Sequence, residues 1–317
     1  MRQYRQKIVN FSNKFNKKSF NKTKSYRSTK IDLSRANLSG ANLSNKNFVE
    51  ANLSSIDLTN ATLEKTNFIW ADLNGAILIE ANLNRAYLHY ASLLWADLTQ
   101  ADLTQADFSC AELIQANLEA AIGLNAKLMG TILEGGNLTN SNFQAANFFN
   151  ANLKKTNCTN INLKNANLER TRLQNSILYK ANLQQVNLSK AQLQQAIIIN
   201  ADLTETHLIG ADLTEADLTG AIIRFAELEM ANLSRTNLIQ TDLSQSSFFG
   251  ANLEGAVLNS AKLLNTDLRQ ANLENSQLED VDLTNTRVEG AIFSNVRGLD
   301  KEQKDWLRAN GALNIER

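Results

Sequence analysis

The sequence predicts an all-β solenoid of stacked, four-sided coils, and three observations support this fold class. From Leu33 to Phe293 every fifth residue is apolar with a single exception, over 53 consecutive pentapeptides. Proline is absent from all 317 residues, so every backbone N–H stays available for pairing. Seven of the apolar positions hold Phe, and five of these seven are separated by multiples of 20 residues, which indicates four pentapeptides per coil.

The composition of the pentapeptide indicates which residues face inward. The central residue is Leu in 41 of the 53 units, and the residue two places before it is Ala, Ser, Thr or Gly in 47. A period of five fits neither the 3.6-residue period of an α-helix nor the alternation of an ordinary strand. We therefore expect each unit to be a short extended side followed by a turn. The small residue and the Leu face inward, and the intervening Asn or Asp supports the turn through side-chain hydrogen bonds to nearby backbone.

Units such as Ala96-Asp97-Leu98-Thr99-Gln100 resemble the pentapeptide-repeat family. The resemblance covers residues 31–295 and implies a right-handed quadrilateral β-helix, the pentapeptide-repeat solenoid. At roughly 4.8 Å per stacked coil, residues 31–297 would form about 13 coils with a length of about 64 Å. The ending, Arg297-Gly298-Leu299 followed by Asp300, is similar to the C-terminal tail of many cyanobacterial members.

Residues 298–317 are predicted to form a capping helix and a tail. Asp300 is a candidate N-cap, Gln303 follows three residues later, and Gly311 lies beyond the last turn, which delimits a helix of about ten residues. Solenoids need their open ends covered for solubility. We therefore expect Trp306 and Leu307 of this helix to cover the last coil.

Residues 1–30 form a basic N-terminal arm with ten Lys or Arg residues and no acidic residue. Apolar residues recur in it at spacings of four, three and four, which predicts a short amphipathic helix. This arm is a candidate contact element, and three roles stay open: a cap on the first coil, a disordered segment, or binding to anionic lipid or nucleic acid. The apolar residues are Tyr4, Ile8, Phe11 and Phe15, and the candidate contact residues are Lys7, Lys14, Lys17 and Lys18.

The repeat is interrupted at Gly123, which occupies a central position where an apolar residue is expected. A missing interior side chain would leave a hole in the core. We expect a local bulge here that turns Leu124 inward, because Gly permits unusual backbone conformations.

Catalytic or metal-binding constellations are not evident in the sequence. His89 and His207 are 118 residues apart, or nearly six coils of about 4.8 Å each, so they cannot share a metal ion. Cys158 is an interior residue and Cys110 faces outward on a different side, which argues against a disulfide or a thiolate–base pair. The many carboxylates lie on a solvated convex surface, which provides no desolvation that would separate their pKa values for acid–base catalysis. We predict no enzymatic activity, no metal, no cofactor and no small-molecule substrate.

One outward-facing cluster is apolar although the repeat requires no apolar residue at these positions. A contiguous aromatic patch of this kind often marks a protein contact. The alternatives are that it covers glycines such as Gly75 or receives the N-terminal arm. The candidate interaction patch consists of Ile69, Trp70, Tyr87, Tyr90, Leu94, Trp95 and Ile114.

These observations favour a non-enzymatic scaffold that binds an unknown protein partner. The family resemblance implies an alternative, a DNA-mimicking modulator of a topoisomerase such as DNA gyrase. Duplex DNA carries one negative charge per roughly 1.7 Å, so a mimic about 64 Å long would present about 38 charges. Residues 31–297 carry 18 basic and 28 acidic residues, a net charge of only −10.

The remaining expectations concern location and other partners. Two cysteines, the lack of a signal-peptide pattern and the shortness of all apolar runs predict a cytoplasmic protein with no membrane span. The acidic body disfavours nucleic-acid binding. Peripheral contact with a membrane through the basic arm stays open.

Overall fold

The computed structural model describes residues 30–315, which form a solenoid of stacked coils. Parallel β-bridges join residues that are 20 positions apart, from Asp32 with Asn52 to Gln277 with Arg297. One circuit of the chain therefore takes 20 residues, or four pentapeptides. This spacing agrees with the separation of the central Phe residues in the sequence.

Each side of a coil is short. It contributes one bridged residue, and within residues 30–315 no strand is longer than that. Asn52, for example, donates its N–H to the Ile31 carbonyl at 2.8 Å and accepts the Leu33 N–H at 2.9 Å. The same pair of hydrogen bonds recurs on all four sides, so the coils are held together by their backbones and depend on the absence of proline.

A hydrogen-bonded turn separates successive sides. In one example the Ile56 N–H donates to the Leu53 carbonyl at 3.1 Å, and Ser55 has φ of 54°. Every fifth residue from Arg35 to Asn295 has φ between 53° and 71°. A positive φ at the third residue only is the signature of a type II turn. Gly and Asn adopt this left-handed conformation most readily, and bulky residues least.

The core consists of the residues that the repeat places inward. From Leu38 onward, Leu at the central position and Ala two places before it are buried, as in Ala51 and Leu53, whereas Leu33 and Ala36 in the first coil are only partly buried. Thr at the small-residue position is also buried, and its hydroxyl donates to a backbone carbonyl, as in Thr66 with Leu43 at 2.9 Å. The predicted inward and outward assignment is thus confirmed.

The intervening Asn and Asp residues stabilise the turns. Asn52 Oδ1 accepts the N–H of Ser54 at 3.2 Å, and this contact recurs along the chain. Stacked Asn side chains also bond between coils, as in Asn137 Nδ2 with Asn117 Oδ1 at 3.0 Å. These contacts confirm the role expected for the polar residues.

The bulge expected at Gly123 is not formed. Ile122 bridges both Asp102 and Asn142 in the regular register, and Leu124 stays in an outward, half-buried turn position. The space is filled instead by Phe143, which lies one coil above Gly123 in the same interior column. A Cβ atom built on Gly123 would overlap Cε1 and Cδ1 of the Phe143 ring. The larger side chain therefore compensates for the missing one.

A helix, α1, Lys301–Ala309, follows the last coil, and the chain after it returns to the solenoid, where Leu313 bridges Ile292. Asp300 accepts the Gln303 N–H at 2.8 Å, and Gln303 Oε1 accepts the Asp300 N–H at 3.0 Å, which forms a capping box. Leu307 is fully buried against the end of the core. Gln303 Nε2 also donates to the Val281 carbonyl at 2.8 Å, which satisfies an acceptor near the last coils.

Because the Phe143 ring fills the space beside Gly123, we expect substitutions at these two positions to have strongly coupled effects on stability. Gly123→Leu overlaps the Phe143 ring, and Phe143→Leu opens a cavity above Gly123, so each single change lowers stability by about 1–3 kcal/mol. The double variant restores the usual Leu pair and recovers most of this loss. Thermal and urea denaturation of the four proteins measures the coupling. Additive losses in the double variant would contradict the compensation.

Candidate interaction surface

Two neighbouring corners of the solenoid carry the aromatic residues of the predicted patch. Trp70 and Tyr90 are 20 residues apart and occupy the same corner in successive coils. Their rings stack with centroids 4.3 Å apart and an interplanar angle of 7°. Trp95 lies on the next corner along the chain, and its Nε1 donates to Gln115 Oε1 at 2.5 Å. The exposed fractions of Trp70, Tyr90 and Trp95 are 57%, 50% and 62%, so the rings stand in solvent.

The other predicted patch residues lie around these two corners. Tyr87 is exposed and precedes the Tyr90 corner, and Ile69 is half-buried beside Trp70. Leu94 and Ile114 are half-buried at the Trp95 corner in successive coils. The register therefore brings all seven predicted residues into three adjacent coils, around two corners.

The side between the two corners is acidic. We name it the patch side, and it consists of the stacked segments 49–55, 69–75, 89–95, 109–115 and 129–135. These segments contain four carboxylates and neither Lys nor Arg. The carboxylates are Glu50, Asp72, Glu112 and Glu134.

The only ionisable base on the patch side is a histidine that already has a partner. His89 Nδ1 lies 3.3 Å from Asp107 Oδ1, and Lys127 Nζ lies 3.5 Å from the other oxygen of the same carboxylate. Asp107 and Lys127 lie on the adjoining side, in the same bridged column as Tyr87 and one and two coils above it. The patch side therefore combines exposed aromatic rings with uncompensated negative charge.

The idea that the patch covers Gly75 is not supported. A Cβ atom at Gly75 would have one heavy atom within 4 Å, Ser55 Oγ at 3.5 Å. Trp95, one coil above Gly75, is hydrogen-bonded instead to Gln115 in the coil beyond. The aromatic residues are therefore not needed to shield this glycine.

The backbone at the aromatic positions is a feature that composition alone does not indicate. Trp70, Tyr90 and Trp95 have φ of 58°, 58° and 57° because all three occupy the left-handed turn position. A bulky side chain is unfavourable in this conformation, whereas Asn and Gly are tolerated. The fold therefore does not explain why three large aromatic residues occupy these positions.

Other exposed apolar residues were not singled out from the sequence. Phe225 and Met230 also occupy left-handed turn positions, and Ile177 and Ile197 form a bridged pair on a different side. Their signal in the sequence was the same as for the patch, an apolar residue at an outward position. They lack the stacked ring pair that distinguishes Trp70 and Tyr90.

The candidate contact residues of the arm, Lys7, Lys14, Lys17 and Lys18, lie outside the described residues. The structure therefore gives them no position.

The two cysteines differ in environment. Burial raises the pKa of the Cys158 thiol to about 11, although a hydrogen bond to Thr156 opposes this shift. Cys158 is therefore protonated at neutral pH. Cys110 is free and exposed, and it lies one coil above Tyr90 in the same corner.

Side-chain pairs elsewhere stabilise the surface. His207 Nδ1 lies 2.8 Å from Glu227 Oε2, and Asp267 lies between Arg269 and Arg287. Burial raises the pKa of Asp267, but the hydrogen bonds from Arg269 and the charge of Arg287 outweigh it, so the pKa lies below its usual value. Residues 30–315 contain no group of three or more His, Cys, Asp or Glu side chains that could hold a metal ion.

Two depressions of the described surface lie beside α1, away from the patch, and one of them is lined by Val281, Asp300, Gln303 and Trp306 among others. In the part of the chain that the structure describes, no helix is long and apolar enough to cross a membrane.

Comparison with known proteins identifies the repeat. The family model described as Pentapeptide repeats matches with eight copies, over residues 31–68, 66–105, 106–144, 146–185, 187–224, 226–263 and 261–297. The chain belongs to the pentapeptide repeat family. This confirms the resemblance derived from the Ala-Asp-Leu units.

Solved structures of this family are similar to the chain. HetL of Nostoc sp. strain PCC 7120, involved in heterocyst differentiation regulation, is 31% identical, with 69% of this chain and 91% of HetL covered and a TM-score of 0.36. Rfr23 of Cyanothece 51142 is 40% identical over 30% of this chain and 62% of its own, with a TM-score of 0.23. QnrB1, a plasmid-mediated fluoroquinolone resistance protein, is 18% identical over 58% of this chain and 95% of its own, with a TM-score of 0.27. No curated protein matches the chain.

The two cysteine environments predict a sharp difference in reactivity. The exposed thiol of Cys110 reacts with an aromatic disulfide reagent in the folded protein, whereas the buried, protonated thiol of Cys158 does not. We expect one thiol equivalent under native conditions at pH 8 and two in denaturant. The Cys110→Ser variant should show none until it unfolds, and rapid native reaction of that variant would contradict the burial of Cys158.

Proposed function

We propose that this pentapeptide repeat protein is a non-enzymatic scaffold that binds a protein partner through the patch side. The observation that carries the proposal is the exposed stack of Trp70 on Tyr90, with Trp95 on the next corner, at turn positions where the fold favours Asn or Gly. Aromatic residues of this kind supply much of the binding energy at protein interfaces.

The solenoid suits a scaffold because it holds these rings in place before binding. The stacked pair is already ordered by its ring contact, so little side-chain freedom is lost when a partner binds. The body would consist of about 13 right-handed coils with a total length of about 64 Å, and α1 would be its C-terminal cap. Because the patch side carries carboxylates beside exposed rings, we expect the partner to present a basic segment that also contains apolar residues.

The absence of enzymatic activity is part of this proposal. Pentapeptide repeat proteins are generally structural or interaction proteins without enzymatic activity. Enzymes place their reacting groups in concave pockets, which a filled solenoid with short turns offers poorly. A cytoplasmic location is also proposed, because both cysteines are free, which is typical of a reducing compartment.

The scaffold proposal predicts that the patch can be removed without loss of stability. In the variant Trp70→Asn/Tyr90→Asn/Trp95→Asn, the lost ring stack is offset by a residue better suited to a positive φ, so the melting temperature stays nearly unchanged. Affinity for the partner falls at least about 30-fold, since one interface aromatic contributes about 2 kcal/mol or more. Quantitative pull-down identifies the proteins lost with this variant, and titration with the purified partner measures the fall.

The matched control is Phe225→Asn/Met230→Asn, which replaces exposed apolar residues at equivalent turn positions elsewhere. It should capture the same partner as the native protein. Equal capture by all three proteins would contradict the use of the patch side.

The topoisomerase alternative receives no support from the charge of the body. Residues 31–297 carry a net charge of −10, far below the value of about 38 negative charges for a duplex mimic of this length. We therefore expect the purified protein not to inhibit gyrase supercoiling at micromolar concentrations. Inhibition that is weakened by added salt would reverse this conclusion.

A further inference from the structure

We propose that the basic N-terminal arm, residues 1–29, docks on the patch side and competes there with the partner. The competition rests on the proposed function, whereas the docking does not. The arm lies outside the described residues, but the point where it joins the solenoid is described.

The arm is attached below the patch, at the same corner. The described chain begins at Lys30, which is 20 residues before Glu50 and 40 before Trp70, and these positions share one corner column. Two coils correspond to about 10 Å. The 14 residues from 16 to 29 span up to about 46 Å when extended. Residues 4–15 can therefore reach the patch side without strain.

The charges of the two elements are opposite. Residues 1–29 contain nine Lys or Arg and no acidic residue. The patch side carries four carboxylates, and within residues 30–315 Glu50, Asp72 and Glu112 have no ion-pair partner. Opposite charges on exposed surfaces attract over roughly one Debye length, about 8 Å at physiological ionic strength. The same carboxylates oppose docking of an anionic membrane.

The apolar parts also match in kind and in length. The predicted amphipathic helix has Tyr4, Ile8, Phe11 and Phe15 on one face. A helix over these 12 residues is about 17 Å long. The patch side from Glu50 to Glu112 covers three coil spacings, or about 14 Å. The rings of Trp70 and Tyr90, one coil apart, lie in the middle of this length, so they would contact the central part of the apolar face of the helix.

The covalent connection favours the arm over a second copy of the chain. A covalent connection of this length gives an effective concentration in the millimolar range, so even a weak contact is populated. A partner must displace the arm to reach Trp70 and Tyr90. The arm would thus lower the affinity of the scaffold for its partner and raise its selectivity.

Tryptophan fluorescence of the full chain tests the docking directly. The protein has three Trp residues, and Trp306→Phe leaves only Trp70 and Trp95 as reporters on the patch side. In this background we compare the native arm with Ile8→Ser/Phe11→Ser/Phe15→Ser. The acrylamide quenching constant should rise at least about twofold in the arm variant, because the tethered contact is otherwise populated. High salt should raise it similarly in the protein with the native arm.

A matched control and two opposing outcomes make the test decisive. Ile177→Ser/Ile197→Ser changes exposed apolar residues on a different side and should leave the quenching constant unchanged. Equal quenching with the native and the altered arm would overturn the docking. A lower melting temperature of the arm variant with unchanged quenching would show that the arm covers the first coil instead.

The competition is tested separately, with the partner identified by pull-down. The arm variant should bind it several-fold more tightly than the native chain. Increased quenching without tighter binding would refute the competition and leave the docking intact. If the Asn triple variant captures the same partner as the native protein, the proposed function fails, but the quenching result still decides the docking.

Discussion

The backbone register of 20 residues is the constraint on which the rest of this molecule depends. Each side of a coil is a single bridged residue, so no individual side could be stable alone. Stability comes from repeating the same hydrogen bonds between every pair of coils. The register also places like positions above one another, which aligns the buried Leu and Ala columns and the Asn side chains such as Asn117 and Asn137. A shift by one residue would turn the core outward.

The same register separates the requirements of the fold from those of the surface. The inward residues must be small or apolar, and the residue before the central Leu supports the turn. The third residue of each turn needs a positive φ, and its side chain projects outward. Lys65, Gln100 and Glu205 occupy this position as well as Asn and Gly. The positive φ does not require a cluster of Trp70, Tyr90 and Trp95 there, and this is the reason for proposing that the cluster binds a partner.

Most of the fold could be predicted from the sequence because its pattern is one-dimensional and its period is short. The failure at Gly123 has a physical reason. The expectation treated the missing side chain as a local defect, whereas the core is a column in which Phe143 is a direct neighbour. The signal was present, since the two residues are 20 apart. For the patch, the register predicts which residues are neighbours, but not the stacking of Trp70 on Tyr90 or the hydrogen bond of Trp95, which depend on side-chain rotamers.

The distribution of charge links the solenoid to its arm. The chain as a whole is neutral, with 32 basic and 32 acidic residues, yet nearly a third of the basic residues precede residue 31. The acidic body is thereby left without its counter-charge, and the patch side lacks Lys and Arg altogether. Charges separated in this way along one chain attract each other at a concentration set by the tether and not by the cell. If the arm docks on the patch side as we propose, a partner must supply more than a basic segment. It must then offer apolar contacts to Trp70 and Trp95 that exceed those of the arm, and this requirement excludes simple polycations.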